Sequence, residues 1–311
     1  MSKILITAKI GQDLDGVACA YAYAAFLNST DKKNEYVAGI YGEPHIEARY
    51  VLEQLTITSG LVYNPETEFD KFILVDASEL KGMSEVIRAE DVIEVIDHRE
   101  THRAPELFPQ AKIQIEKVGA AATLIFEKIK QQKLPLDKNS VFLLLGAIYS
   151  NTLNFQSDVA NERDRAAVEA LENDYGVKIP PDFISKMFLY KTEYIKEHLE
   201  ESIISDFKNF DNGIGIAQLE GFNLNKIVEK KIEEIKTVLI ELKEKYQLKY
   251  IFLNAADIKK NYNIFVAIDE ETRALLSASL TLTFNENQIA KNNKLLLRKQ
   301  ILPLLLKTLK L

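Results

Sequence analysis

The sequence predicts an α/β protein in two parts: a doubly wound, mostly parallel N-terminal sheet and a smaller C-terminal α/β domain. Three observations carry this reading. Through the first half, short apolar runs alternate with stretches of helical length, as repeated β-α units require. Three of those runs finish in carboxylates or in a carboxylate and an imidazole. Gly11-Gln12-Asp13-Leu14-Asp15-Gly16 follows the first, Asp76 ends the second, and Asp97-His98 ends the third. Then Gly176-Val177-Lys178-Ile179-Pro180-Pro181 breaks the helical pattern, and the chain changes character beyond it.

In order, residues 3–9 read as a short buried strand and residues 16–28 as an alanine-rich helix free of internal proline or glycine. Strands are expected at 36–41, 72–76, 92–98 and 112–115, and helices at 118–130, 140–149 and 161–173. A polar helical segment over 182–201 holds the expected boundary, giving domains 1–189 and 194–311 with 190–193 between them. In the second half, 213–219 reads as a strand. Residues 224–246 read as one long helix with Leu224, Ile227, Val228, Ile235, Leu239, Leu242 and Tyr246 on its apolar face. Strands at 250–254 and 263–268 and a closing helix over 295–309, broken by Pro303, complete the smaller domain. Two such domains, one with a metal-binding edge, predict an active-site cleft between them.

At 311 residues, 47% apolar and 27% charged, the chain has the composition and length for two domains with their own cores. No apolar run approaches the roughly 18 residues of a membrane helix. Met1 leads into a strand without a charged-then-apolar leader, so a cytoplasmic protein with no membrane partner is expected. The single cysteine, Cys19, excludes an internal disulfide framework and a cysteine zinc site, and is expected to pack as a small apolar side chain. A net charge of −7 opposes non-specific nucleic-acid binding, which needs a positive face.

Ligands of open α/β sheets bind outside the carboxyl ends of the strands. Asp13 and Asp15 are placed there, one residue apart, and repel each other unless a cation neutralises them. The competing reading is a capping turn, with Asp15 capping the helix and Asp13 facing solvent. Asp76 and Asp97-His98, ending neighbouring runs, favour the metal reading. Oxygen and imidazole donors suit manganese, magnesium or cobalt.

Taken together, Asp13-Leu14-Asp15-Gly16, Val75-Asp76, Asp97-His98-Arg99 and Gly146-Ala147-Ile148-Tyr149-Ser150-Asn151-Thr152-Leu153 resemble the four motifs of the DHH phosphoesterase superfamily. The chain is most similar to the family II (manganese-dependent) inorganic pyrophosphatases. Glu116-Lys117-Val118-Gly119-Ala120-Ala121-Ala122-Thr123 resembles that family's Glu-x-Val-Gly-x-x-x-Thr segment. Asp206-Phe207-Lys208, the run 215–220 and Arg298-Lys299-Gln300 resemble its second domain. The chain also departs from the pattern. Lys9 stands where the family has a metal-ligating His, Arg99 where its third motif has a second His, and Asn151 where its fourth motif has a ligating Asp. Leu296-Leu297-Arg298-Lys299-Gln300 stands where the family has Ser-Arg-Lys-Lys-Gln, and His45, His102 and His198 lie off the ligand positions.

The resemblance implies hydrolysis of a phosphoanhydride, pyrophosphate or short polyphosphate, by a water activated on divalent ions. It implies metal ligands at Asp13, Asp15, Asp76 and His98, with Asn151 a weak neutral one, and Asp97 orienting the His98 ring. Lys9 would abut one metal position and supply a charge itself, leaving one ion, manganese first, with magnesium or cobalt as alternatives. Arg99, Lys208, Arg298 and Lys299 would hold phosphate oxygens, and a homodimer is implied. The altered ligands also allow a phosphate-binding homologue that has lost turnover. A nuclease or dinucleotide phosphodiesterase ranks last, because the chain is acidic and lacks the glycine-rich, His-ending motif of those relatives.

Overall fold

A computed structural model describes residues 1–57, 59–99, 102–132, 134–210 and 212–310. The chain divides into two compact units, Met1–Met187 and Phe188–Leu311. The first unit is built on strands β1 (Lys3–Thr7), β2 (Glu35–Ile40), β3 (Leu61–Tyr63), β4 (Lys71–Val75), β5 (Val92–Asp97) and β6 (Lys112–Ile115). They form one six-stranded sheet in the order β3-β2-β1-β4-β5-β6, parallel at every pairing. From β1 the chain first adds β2 and β3 on one side and then returns to add β4 on the other. The order therefore reverses between β1 and β4, and their carboxyl ends flank the crevice in which doubly wound folds bind ligands.

Helices α1 (Leu14–Thr30), α2 (Ile46–Glu53), α3 (Ala104–Leu107), α4 (Ala121–Lys130), α5 (Lys138–Asn151) and α6 (Glu162–Tyr175) belong to this unit. Both faces of the sheet are buried. Leu5, Phe72, Leu74 and Val95 pack with Met83 and Phe108, while the alternate residues Ile4, Ile6, Ile73 and Ile96 are equally covered. The small residues of α1 permit close packing. A Cβ on Gly16 would come 2.8 Å from that of Ala8, so the helix starts hard against the end of β1. The sequence reading omits α2, α3 and β3. It also starts the fourth helix at Val118, whereas α4 begins at Ala121, leaving 118–120 as a turn.

Helix α7 (Phe183–Glu197) runs through the boundary between the units, and residues 190–193, where the sequence places the boundary, lie within it. The second unit continues with α8 (Leu199–Ser205), β7 (Phe207–Phe210), β8 (Ile214–Gly221), α9 (Leu224–Lys230), α10 (Ile232–Lys245), β9 (Tyr250–Asp257), β10 (Tyr262–Val266), α11 (Glu270–Leu280), β11 (Ile289–Asn292) and α12 (Arg298–Leu309). Its mixed sheet has the order β11-β10-β9-β8-β7, with β8 and β9 parallel and the other pairs antiparallel. Ala217, Leu219, Ile251 and Leu253 bury one face with α8, α9 and α10. Ile216, Phe252 and Phe265 bury the other with α11 and α12.

Two expectations for this unit are corrected. Residues 224–246 are not one helix: the chain leaves helical geometry at Lys231, which lets Leu224–Val228 and Ile235–Leu242 meet one core from two axes. The closing helix starts at Arg298, not 295, and continues through Pro303, because Ile301 and Leu305 anchor it in the core on either side.

Candidate metal centre

The turn after β1 inverts the capping assignment of the competing reading. Asp13 is the N-cap of α1, accepting from the Gly16 N–H at 3.0 Å. Asp15 lies inside the first turn, buried, and docks on a different helix. Its Oδ2 accepts from Ala121 N at 2.7 Å and its Oδ1 from Ala122 N at 2.8 Å, so it satisfies two orphan donors at the start of α4. Asn151 Nδ2 also donates to Oδ2, at 2.6 Å, and Cys19 Sγ lies 3.5 Å from Oδ1.

Asp76 follows β4 with φ +47°, in the left-handed region, and its N–H is bonded to Ile96 O at 2.9 Å. Asp is among the few side chains that visit this conformation, and such turns gather at functional sites. At the end of β5, the ring of His98 is held by Nδ1 against Val118 O at 3.0 Å. A carbonyl can only accept, so Nδ1 carries the proton and Nε2 is left as the ligating nitrogen. The resemblance has Asp97 orienting this ring, whose Nδ1 is taken by Val118 O. Asp97 is fully buried and accepts from the backbone N–H of His98 at 2.7 Å, fixing the chain beneath the ring. His98 Nε2 stands 3.4 Å from Asp76 Oδ1, a contact that asks for a proton or a cation between the two.

Sequence reasoning missed the turn at residues 118–120 and the residue that anchors it. Asp164, fully buried, accepts from Gly119 N at 2.8 Å and from Thr123 Oγ1 at 2.6 Å, and from Asn161 N at 2.8 Å within the capping box of α6. The turn then supplies Val118 O to His98 and sets the start of α4, whose Ala121 and Ala122 amides donate to Asp15. The only sequence signal was the Glu-x-Val-Gly-x-x-x-Thr segment; Asp164 itself had none. His45, set aside in the sequence, stands at the N-cap position of α2 without a side-chain capping bond, and its backbone N–H donates to Gln12 O at 2.8 Å.

The remaining residues fall into three groups. Lys9 Nζ is 2.5 Å from Glu79 Oε1, so Glu79 meets its charge. Burial acts to raise the Glu79 carboxyl, but Lys9, Arg99 and Lys81 hold it below its ordinary value. Arg99 Nη2 donates to Asp76 O at 3.0 Å, and Nη1 is 3.5 Å from Asp97 Oδ2. In the second unit, Lys208 and Lys299 are exposed, on β7 and at the start of α12. Arg298 is committed inside its own unit, donating to Asp206 O at 2.6 Å, to Ile216 O at 3.3 Å and to the Asp206 carboxylate.

Electrostatics mark the cluster as short of positive charge. Burial first, and Asp76 second, push the Asp15 carboxyl up to about 8 and that of Asp13 to about 6. His45 pulls Asp13 down and Glu47 pushes it up. Asp15, Asp76 and His98 each offer a ligand atom within 4.8 Å of the others, the one such group among the described residues. Two carboxylates and an imidazole at that spacing fit one hard divalent ion. Among the described residues no helix is long and apolar enough to cross a membrane.

Comparison with known proteins gives matches for both units. Residues 3–148 match the DHH family N-terminal domain, and residues 185–308 match the DHHA2 domain. The manganese-dependent inorganic pyrophosphatase of Methanothrix thermoacetophila is 29% identical over 310 residues, covering 96% of each chain. That of Bacillus subtilis is 29% identical over 311 residues, covering 98% of each. The crystal structure of a Methanococcus jannaschii candidate family II inorganic pyrophosphatase shares the fold, with a TM-score of 0.78 at 24% identity over 98% of both chains. With a DHH N-terminal domain followed by a DHHA2 domain, the chain belongs to the DHH family.

Proposed function

We propose that this chain is a metal-dependent phosphohydrolase that cleaves a phosphoanhydride, pyrophosphate or a short polyphosphate, on a single divalent ion, manganese first among the candidates. The observation that carries this reading is the meeting of Asp15, in the first turn of the helix after β1, with Asp76 just past β4 and His98 just past β5, beside the reversal of sheet order between β1 and β4. The two curated relatives above, matched over nearly their whole lengths, are named manganese-dependent inorganic pyrophosphatases, which supports the substrate class.

When bound, a divalent ion supplies a water of lowered pKa and neutralises phosphoryl oxygens. The chain's own residues do the rest. Asp15, Asp76 and His98 hold the ion, with Asp13 beside them. Val118 O keeps His98 in the tautomer that leaves Nε2 available, and the α4 amides fix the Asp15 carboxylate. Lys208 and Lys299 are the proposed phosphate-binding cations of the second unit, and Arg298, tied to Asp206, braces the start of α12 beside Lys299. A cytoplasmic homodimer is part of the same proposal.

One observation favours a second reading, a binding protein without turnover. Asn151 fills Asp15 Oδ2 with an N–H where a hydrolase would want a metal. The deciding experiment is phosphate release from pyrophosphate, tripolyphosphate and nucleotides with manganese, magnesium and cobalt in parallel, using Asp76→Ala as control. Metal-dependent release that Asp76→Ala abolishes is the expected result. Pyrophosphate binding without release under any metal would replace the hydrolase by the binding protein.

A further inference from the structure

We propose that Arg99 is a resident cation of the carboxylate cluster, supplying in protein form the charge that a second divalent ion would bring. This rests on the metal-hydrolase reading and says why one ion suffices. The sequence suggested Lys9 for that role, but Lys9 is spent on Glu79. Arg99 is placed differently. It follows His98 at the end of β5, and its guanidinium spans two strand ends. Nη2 donates to Asp76 O at 3.0 Å and lies 3.9 Å from Asp76 Oδ1, the oxygen that faces His98 Nε2 at 3.4 Å. Nη1 is buried and stands 3.5 Å from Asp97 Oδ2, itself buried; the two meet as an ion pair without a hydrogen bond.

The chemistry of the side chain fits the role. A guanidinium keeps its charge throughout the accessible pH range and has no lone pair, so it neutralises carboxylates without ligating anything. Burial works against that charge, but Asp76, Asp97, Asp13 and Glu79 outweigh it and hold the guanidinium charged. Together with one divalent ion, Arg99 offsets three of the four carboxylates Asp13, Asp15, Asp76 and Asp97. A further divalent ion on the Asp76 side would face a fixed positive charge where solvent screens weakly.

The test is calorimetric titration of the full chain with manganese in metal-free buffer, comparing wild type, Arg99→Gln and Arg99→Lys, with circular dichroism to verify folding. Wild type is expected to bind one ion. Arg99→Gln should bind manganese about tenfold or more tightly, or take up a second ion, because a positive charge near the ligands is gone. Arg99→Lys should keep the wild-type affinity and stoichiometry. A folded Arg99→Gln with wild-type or weaker affinity and unchanged stoichiometry would overturn the inference. So would two ions bound by wild type, which needs no variant to fold. Wild type binding no manganese, with no metal-dependent phosphate release, would sink the hydrolase reading instead.

Discussion

Asp15 is the residue on which the centre turns, and its surroundings explain why its partners were hard to read. It takes donors from Ala121, Ala122 and Asn151, with Cys19 close by. The acids Asp13, Asp15, Asp76 and Asp97 were legible because each ends or closely follows an apolar run, a position the fold uses for ligands. Val118, Ala121 and Ala122 were not, because they act through backbone atoms that any residue supplies. Glu79 was illegible for another reason: its pairing with Lys9 joins residues far apart in sequence. Asn151 is the position where the chain's departure is most testable. Replacing it by Asp removes a 2.6 Å donor and sets a carboxylate against Asp15 Oδ2. Without metal, Asn151→Asp should lose about 1–3 kcal/mol of stability, and manganese should restore more than it gives the wild type. Thermal melts in chelator and in excess manganese measure both. An unchanged melt in chelator would mean that this hydrogen bond contributes nothing to the metal-free fold.

At the scale of elements, the turn at 118–120 shows how a few residues outside any helix or strand organise two ligands at once. It is held by Asp164 on α6, meets His98 through Val118 O, and leads directly into the α4 amides that hold Asp15. Gly119 is required there by space. A Cβ would come 2.6 Å from Thr152 Cγ2 and 2.8 Å from Asp164 Oδ2. Gly119→Ala should therefore cost about 1–3 kcal/mol through overpacking. It should also weaken manganese binding about 10–100-fold, as disturbed supports of metal ligands do. Denaturant titration and manganese calorimetry on the same sample would check the two figures. Lost stability with undiminished affinity would separate the turn from the metal centre. The turn was misread as helix because Ala120 runs straight into the Ala121-Ala122 start of α4, with Val118 continuing its apolar composition. The split of 224–246 was hidden in the same way, since Lys231 interrupts the backbone without interrupting the apolar spacing. Short β7 and β11 and polar α11 carry too little apolar pattern to announce themselves; strand pairing and the two cores of the second unit define them.

Over the whole molecule, the concentration of buried carboxylates at one sheet edge makes stability depend on pH and metal together. The Asp15 carboxyl is pushed up to about 8 and that of Asp13 to about 6, by burial first and by Asp76 second. In the unfolded chain such groups titrate near 4, roughly. Between those limits the metal-free folded state keeps protons that the unfolded state has released. The stability these two groups contribute is thus fully present below about pH 4 and is lost as pH rises through about 6 and then about 8. Glu79 and Asp269, held low by lysines, act oppositely: their contribution is present above about pH 4 and lost as pH falls below it. The metal-free chain should consequently be most stable on the mildly acidic side and decline towards alkaline pH. Manganese has to displace the protons on Asp13 and Asp15, so its affinity should climb with pH and level off near about pH 8. Melting temperatures in chelator and in manganese, taken from about pH 5 to about pH 9, should diverge, the chelator curve falling while the manganese curve stays level. Parallel curves would show that no proton leaves these carboxylates when the ion enters, and the centre would then have to be sought elsewhere in the chain.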